Sequence, residues 1–577
     1  MRSGKTREPP WSQPKYLAAV ILAIVLVRCV FIYAYPFAFG HRDTNQYLGA
    51  TVSLLDGKGY MPHFMRVSGT YALFTAGIIW GFHSSFVLIV IQHLLGVLGA
   101  LLGGLITLEI TRSRWLALLC VLLLGVLPKA LFYEHFLLVE SLYASTWLFF
   151  LWSSMRFFKG PTLARAAGLG ALNCCLLLSR GQGALALILC IGLTGILLVS
   201  RRAPPKRLAF FILFMLAPSL AGSFLYRRQN IEQHHLPALS MAGNHNLFWN
   251  VGGNLIDYHS PRNTDFKELV RPCVLDANRK FVPWPNWGLG GETCAIYRRA
   301  VREHYRDNWG EIHEVIGAVA VEGILSHPVA FTYRSLWNLR DSLWERTSLC
   351  SLKDLSEHIL DCGPEGYRID YAKAWQNRSL NVLGRFDRTL SDLAYERSPH
   401  AERIIESFFW VLNVLAGQRF FTVCLGLLLL TALGFRDVFS FETGLLFFYF
   451  LGHWCLTIVP ANGLWDRYYV PHEPIQIILL CVALAAFSRA RREENIRATL
   501  LGLSLMASAA IGYLVGKYIP LLTLGFDAPI LGIGDSSIWK IHRYVACFFS
   551  SSFFLALALI FFKAGKTWRA PWKNRPY

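Results

Sequence analysis

The chain has 577 residues, 54% hydrophobic and only 16% charged, with a formal net charge of +19. Soluble globular chains carry about 25% charged residues, so this composition excludes an ordinary soluble domain and places most of the chain in a lipid bilayer. The Lys and Arg residues fall mostly between apolar runs, which fits positive-inside orientation and contact with anionic lipid headgroups; no nucleic-acid partner is expected.

A transmembrane helix takes about 20 apolar residues. On that measure the sequence predicts spans near 16–38, 85–109, 115–133, 136–157, 164–180, 182–200, 208–226, 410–434, 440–460, 471–488, 499–517 and 541–563. The expected fold class is therefore an all-α polytopic membrane protein of about twelve transmembrane helices. The first apolar run, Tyr16 to Phe39, is too long for a signal-peptide core and lacks a small-residue cleavage site, so it reads as a retained span. Basic residues then occupy every second connection: Arg112 and Arg114; Arg156, Lys159 and Arg165; Arg201, Arg202, Lys206 and Arg207; Arg436; Arg489, Arg491, Arg492 and Arg497. This alternation puts both termini in the cytoplasm and the segments 39–70, 227–404, 461–470 and 518–540 outside.

Three units follow: 1–226, an N-terminal transmembrane catalytic module with the first external loop; 227–404, an extracytoplasmic, mostly helical loop domain; and 405–577, a C-terminal transmembrane module. Leu48 to Leu55 reads as a short interfacial helix. In the large external segment, Cys294 to Trp309 and Glu311 to Leu325 have amphipathic periodicity, and Pro328 begins a further helix. Of 13 cysteines, Cys273, Cys294, Cys350 and Cys362 share this segment. An even number in an oxidising compartment suggests disulfides; sequence proximity favours Cys273–Cys294 and Cys350–Cys362, with four free thiols as the alternative.

Chemistry-bearing residues gather on the external side. The first loop holds His41-Arg42-Asp43-Thr44-Asn45-Gln46-Tyr47, then Gly57-Lys58-Gly59-Tyr60, then Arg66 to Tyr71. An acid just past a span, beside bases and aromatics, suits a sugar or phosphate site, against the plainer reading of a solvated loop. Tyr133-Glu134-His135 precedes Glu140, read as lying one turn inside an apolar helix, where an ionisable group is costly. Arg180 ends a span on the same face, as an anion ligand or a snorkelling anchor. Asn244 and Asn246 lie in Ser240 to Leu247, read as a tight loop with amides available to hydroxyls. Arg467, Tyr468 and His472 enter a span from outside, a charge density suited to an anionic phosphate.

In the order of these motifs the chain resembles the GT-C class of membrane glycosyltransferases, and more narrowly the superfamily of protein O-mannosyltransferases and lipid A aminoarabinose transferases. The residues that carry the resemblance are Asp43 with Tyr47, Gly57 to Tyr60, Arg66 to Tyr71, Leu137-Leu138-Val139-Glu140-Ser141-Leu142-Tyr143, Arg467 to Pro474 and, more weakly, Ser240 to Leu247. Two departures stand out: the Arg66 stretch lacks the usual prolines, and Asp43 is followed by Thr44 rather than a second acid. Beyond Ser240 to Leu247, segment 227–404 resembles no known family.

The resemblance implies an enzyme that moves a hexosyl or pentosyl group from a polyprenyl-phosphate-linked donor to a glycan, lipid or protein acceptor, at the outer face of the cytoplasmic membrane. Asp43 is then the expected general base, and Glu140, also expected in the catalytic site, orients one of the phosphate-binding bases or touches the sugar. Arg66, Arg180, Arg467 and His472 are the expected ligands of the donor phosphate. Tyr47, Tyr71, Asn244, Asn246 and Tyr468 are the expected substrate-binding residues. With no second carboxylate placed as nucleophile, inversion at the anomeric carbon is expected. No cofactor is required; a divalent cation held by Asp43 and a donor phosphate is compatible with the sequence, but no His/Cys/Asp cluster has ligand spacing. A transporter or lipid flippase, or a non-catalytic scaffold of the same shape, are the rival readings; absence of internal repeats argues against the first.

Overall fold

The computed structural model describes residues 14–41, 43–200, 204–274, 301–332, 440–458 and 470–492, with short stretches between 335 and 407. The described residues are mostly helical. They run as α1 (Pro14–Ala34), α2 (Thr44–Leu55), α3 (Gly69–Phe82), α4 (Ser85–Thr111), α5 (Arg114–Gly125), α6 (Pro128–His135), α7 (Glu140–Lys159), α8 (Leu163–Leu177), a 3₁₀ turn at Gly181–Gly183, α9 (Ala184–Val199) and α10 (Pro205–His234). Then come α11 (Ala242–Leu255), α12 (Thr264–Val274), α13 (Trp309–Ser326), α14 (Phe441–Ile458) and α15 (Glu473–Arg492). A small antiparallel hairpin, β1 (Leu360–Gly363) and β2 (Gly366–Ile369), pairs Leu360 with Ile369 and Gly363 with Gly366.

Local chemistry sets many of these boundaries. Ser84, Ser113 and Thr162 each precede an apolar run, and each side-chain oxygen accepts the backbone N–H of Val87, Leu116 or Arg165, a capping bond for one of the orphan donors of a helix start. Pro128 opens α6, where its missing N–H costs nothing. Helices α8 and α10 approach closely at Gly170, where a Cβ would collide with the Phe214 carbonyl, and Gly103 and Gly104 admit Leu124 and Val121 of α5 against α4. Small residues at such crossings are how helices pack in lipid without a hydrophobic driving force.

Four described helices are long and apolar enough to cross a membrane, beginning at Lys15, Ser85, Gly181 and Pro205; α5 and α6 together make a fifth, bent by 49°. The chain is thus a helical membrane protein, and the described residues carry four or five of the expected twelve spans on this measure. The predicted spans 410–434, 499–517 and 541–563 lie outside the described residues, as do the side chains of the four external cysteines.

Several expectations change. The supposed loop around Asn244 is the first turn of α11: Asn244 Nδ2 donates to the His313 carbonyl at 3.0 Å on α13, and Gly317 leaves room for that amide. Helix α10 runs past the predicted end at 226 to His234. Its polar last turns are held by Asn230, which donates to the Ala238 and Leu239 carbonyls. Two helices lie between the first two predicted spans: α2 begins at Thr44, ahead of the predicted Leu48, and α3 is a 14-residue apolar helix. Within 227–404 the helix expected from Glu311 begins at Trp309, capped by Asn308, and Pro328 opens a helical stretch as expected.

The buried apolar residues form two cores. The larger joins α1 to α10 with α14 and α15; the smaller, around Phe248, Phe266, Ile312 and Val319, joins α11, α12 and α13. Phe64 and Met65 of the first loop pack against the smaller one. Phe64 stacks on Trp309 at 3.9 Å between ring centres and 17° between planes, and its carbonyl accepts the Met241 N–H at 2.8 Å.

Candidate active site

Two breaks in the helical run meet side by side. After α1 the chain is extended through Phe39; after α6 it is extended at Phe136. These residues form a parallel bridge, in which Phe39 N–H donates to the His135 carbonyl at 3.0 Å and Leu137 N–H to the Phe39 carbonyl at 3.1 Å. The first break leads to Asp43, the second to Glu140.

Asp43 stands immediately before α2 and is 5% exposed. Its Oδ2 lies 3.0 Å from Arg66 Nη2, and Arg66 Nε donates to Gln46 Oε1 at 3.0 Å. The Arg66 carbonyl accepts the Tyr226 hydroxyl at 3.1 Å, and the Tyr226 oxygen accepts Ser68 N–H at 3.2 Å. His63 lies in the same loop. Burial, then the charges of His234 and Arg66, lower its pKa to about 4 against the opposing pull of Asp43.

Glu140 is the first residue of α7, rather than one turn inside it. That position sets its carboxylate at the positive end of the helix. The residue is fully buried. Its Oε1 lies 2.6 Å from Arg180 Nη2, while its Oε2 has no hydrogen-bond partner among the described residues. Arg180 immediately precedes the 3₁₀ turn. Its guanidinium carbon sits 5.7 Å from the centre of the Tyr143 ring. The Tyr143 hydroxyl is 3.3 Å from His453 Nε2, and His453 Nδ1 is 2.9 Å from His472 Nε2. Lys129 pairs with Glu473 next to His472. Trp147, one turn beyond Tyr143, has a buried indole N–H without a partner among the described residues.

Tyr47 and Tyr71, both buried, lie with ring centres 6.1 Å apart. The Tyr71 hydroxyl donates to Gln92 Oε1 at 3.1 Å, and the Gln92 amide donates to the Glu134 and Phe136 carbonyls at 2.9 and 3.0 Å. Through Gln92, Tyr71 is thus linked to the backbone that leads to Glu140.

Of the residues singled out by sequence, the structure joins Asp43 to Arg66, Glu140 to Arg180, Arg180 to His472 through Tyr143 and His453, and Tyr47 to Tyr71. Asn244 is engaged with His313 in the smaller core, and Asn246 is half-buried on the same helix. Arg467 and Tyr468 lie outside the described residues. His453, Gln92, Arg28 and His93 were not singled out. Each is a polar side chain within a predicted span, and for Arg28, His93 and His453 an ionisable group there is itself a functional signal. Among the described residues no group of three or more His, Cys, Asp or Glu can hold a metal ion.

Chemically, the site offers two carboxylates, each held by a guanidinium, with aromatic rings between. A carboxylate can take a proton from a hydroxyl. A guanidinium carries five N–H donors, more than one carboxylate accepts, so its capacity for a phosphate oxygen does not end with its ion pair.

No family model matches the sequence, and no curated protein matches it. Among solved structures, the chain is similar to an archaeal oligosaccharyltransferase, AglB from Archaeoglobus fulgidus in complex with an inhibitory peptide and a dolichol-phosphate, with a TM-score of 0.40 and 14% identity over 87% of this chain and 55% of that one. The chain spans about half the length of that protein.

Proposed function

We propose that this chain is a membrane glycosyltransferase that moves a sugar from a polyprenyl-phosphate-linked donor to an acceptor hydroxyl on the extracytoplasmic side, with inversion at the anomeric carbon. The observation that carries the reading is the pair of buried acid–guanidinium contacts, Asp43–Arg66 and Glu140–Arg180, with one Glu140 oxygen left without a partner among the described residues. A buried unsatisfied carboxylate oxygen costs stability; a ligand hydroxyl that fills it offsets that cost.

In this reading Asp43 removes the acceptor proton as the new bond to the sugar forms. The bond from the anomeric carbon to the phosphate breaks, and its electron pair leaves with the polyprenyl phosphate. Arg66 and Arg180, together with Arg467 and His472, face that developing charge. Glu140 Oε2 accepts a sugar hydroxyl, and Tyr47 and Tyr71 line the approach. Asn244, Asn246 and Tyr468 are proposed contacts to the acceptor. A divalent cation between Asp43 and the donor phosphate is compatible with this chemistry.

Two measurements test the proposal. Lipid-linked and extractable glycans from cells with and without the protein should differ by one sugar. Purified protein in nanodiscs should release polyprenyl phosphate from a polyprenyl-phosphate sugar in the presence of cell-envelope acceptor. Identical glycans in both cell types, with no release from hexosyl or pentosyl donors, rejects the enzyme reading. For the sidedness, a single Cys placed near Arg492 should resist an impermeant thiol reagent in spheroplasts; its labelling there overturns the orientation.

A further inference from the structure

Arg28 on α1, His93 on α4 and the adjacent Glu134 and His135 on α6 form a second polar cluster, which the proposed chemistry does not use. All four are at most 3% exposed. Arg28 grips Glu134 with both arms, Nε to Oε2 at 3.0 Å and Nη2 to Oε1 at 2.7 Å. Its Nη1 donates to the Gly125 carbonyl at 2.6 Å, where α5 ends. His93 Nδ1 lies 2.6 Å from Glu134 Oε2, and His93 Nε2 lies 2.9 Å from His135 Nδ1. His135 Nε2 donates to the Tyr35 carbonyl at 2.5 Å.

A carbonyl only accepts, so His135 carries a proton at Nε2. Its Nδ1 meets His93 Nε2, and His93 Nδ1 meets Glu134 Oε2. The cluster is therefore closed: from Gly125 to Tyr35 each charged or ring atom meets a partner. A closed, buried cluster has no group to offer a substrate or a transported ion, although ionisable residues in a membrane usually mark such a site.

Its ends identify what it does. Tyr35 lies four residues before Phe39, and His135 lies directly before Phe136, so the chain of bonds spans the two strands of the bridge. Phe39 precedes Asp43 by four residues and Phe136 precedes Glu140 by four. We propose that Arg28, His93, Glu134 and His135 are positioning residues, which hold the bridge from which Asp43 and Glu140 take their relative placement. Buried ion pairs add little net stability but can specify one arrangement, and small misplacements of reacting groups cost large factors in rate. The catalytic part of this assignment rests on the glycosyl-transfer reading above.

Gly96 supplies a minimal perturbation. A Cβ at this position on α4 would collide with the Glu134 carboxylate and come within 2.9 Å of Arg28 Nη2, whereas Gly77 on α3 has open space. The test uses the full chain in nanodiscs, comparing Gly96→Ala and Glu134→Gln with the control Gly77→Ala. Hydrogen exchange by mass spectrometry should rise in the peptides covering 36–41 and 134–139 in the first two variants only. With decaprenyl-phosphate hexose or pentose as donor, kcat should fall about tenfold or more while donor KM stays within about twofold. Glu134→Asp, which keeps the charge, should recover part of the loss. Folded Gly96→Ala with unchanged exchange in both peptides overturns the proposal, as does unchanged kcat. If the parent protein transfers no sugar, the glycosyl-transfer reading fails, and the exchange measurement alone decides whether the cluster holds the bridge.

Discussion

Two buried carboxylates six residues apart, Glu134 and Glu140, have opposite fates. Glu134 meets Arg28 through both oxygens and His93 through one of them. Glu140 meets Arg180 through a single oxygen and leaves the other without a partner among the described residues. Both sit in the same apolar core and both face a guanidinium. The difference teaches that burial of an acid in a membrane protein does not by itself mark chemistry. A saturated carboxylate defines geometry; an incompletely satisfied one is where a ligand gains by binding.

The largest expected effect separates the open cluster from the closed one. Asp43→Asn keeps the shape of the side chain but removes the base, so transfer should fall about 10²–10⁴-fold with little change in thermal stability. Near-normal transfer by a well-folded variant would remove Asp43 from the mechanism and reduce it to a partner of Arg66.

The closed cluster should respond in stability instead. Arg28→Ala leaves the Glu134 carboxylate with His93 alone and vacates the Gly125 carbonyl, a loss of about 3–5 kcal/mol for breaking a buried pair. Arg180→Ala should cost less, because the N-terminus of α7 continues to stabilise the Glu140 carboxylate. Melting of the purified variants in detergent orders the two, and equal losses would erase the distinction drawn between Glu134 and Glu140.

A third test concerns how the smaller core reaches the open cluster. The loop that carries Arg66 is pinned by the Phe64–Trp309 stack and by Gln233, which donates to the Tyr60 carbonyl at 3.3 Å. Trp309→Ala should accelerate tryptic cleavage after Arg66 severalfold relative to cleavage after the exposed Lys58, and Trp309→Phe should restore the ratio. An unchanged ratio in Trp309→Ala would mean that the helices of the smaller core leave this loop alone.

The smallest effect is a pH dependence. His63 has a folded-state pKa of about 4, below its ordinary value of 6.5. As pH falls from 6.5 towards 4, the unfolded chain takes up a proton that the folded chain does not, so His63 makes the protein less stable in that window, and the effect is complete below pH 4. His63→Gln should flatten this part of the stability curve. A curve that keeps its slope assigns the titration to other groups.

Much of the helical framework was legible because lipid imposes a crude and strong rule: long apolar runs with capped ends form helices. The caps at Ser84, Ser113 and Thr162 fix those helix starts in the structure. Asp43, Arg66, Glu140 and Arg180 stood out in the sequence as polar residues beside predicted spans, against an apolar background. Their pairing was not legible. Which guanidinium meets which acid depends on how α2, α7 and the 3₁₀ turn pack, and these come from segments far apart in sequence: Arg180 lies 40 residues from Glu140, and Arg28 lies 106 from Glu134.

Local pattern also misjudged segments whose partners were hidden. The Gly243-Asn244 stretch has turn-forming residues, yet it is helical because α13 offers Asn244 a carbonyl and Gly317 offers it space. The polar end of α10 resembles a loop by composition, yet it continues as helix because Asn230 and Gln233 find carbonyls in neighbouring segments. Sequence alone determined that this chain is a helical membrane protein with acids and bases gathered beside its spans, because hydrophobicity acts residue by residue. Only the tertiary structure decided that Glu134 is closed and Glu140 open, because satisfaction of a buried polar atom depends on which groups the fold brings within about 3 Å.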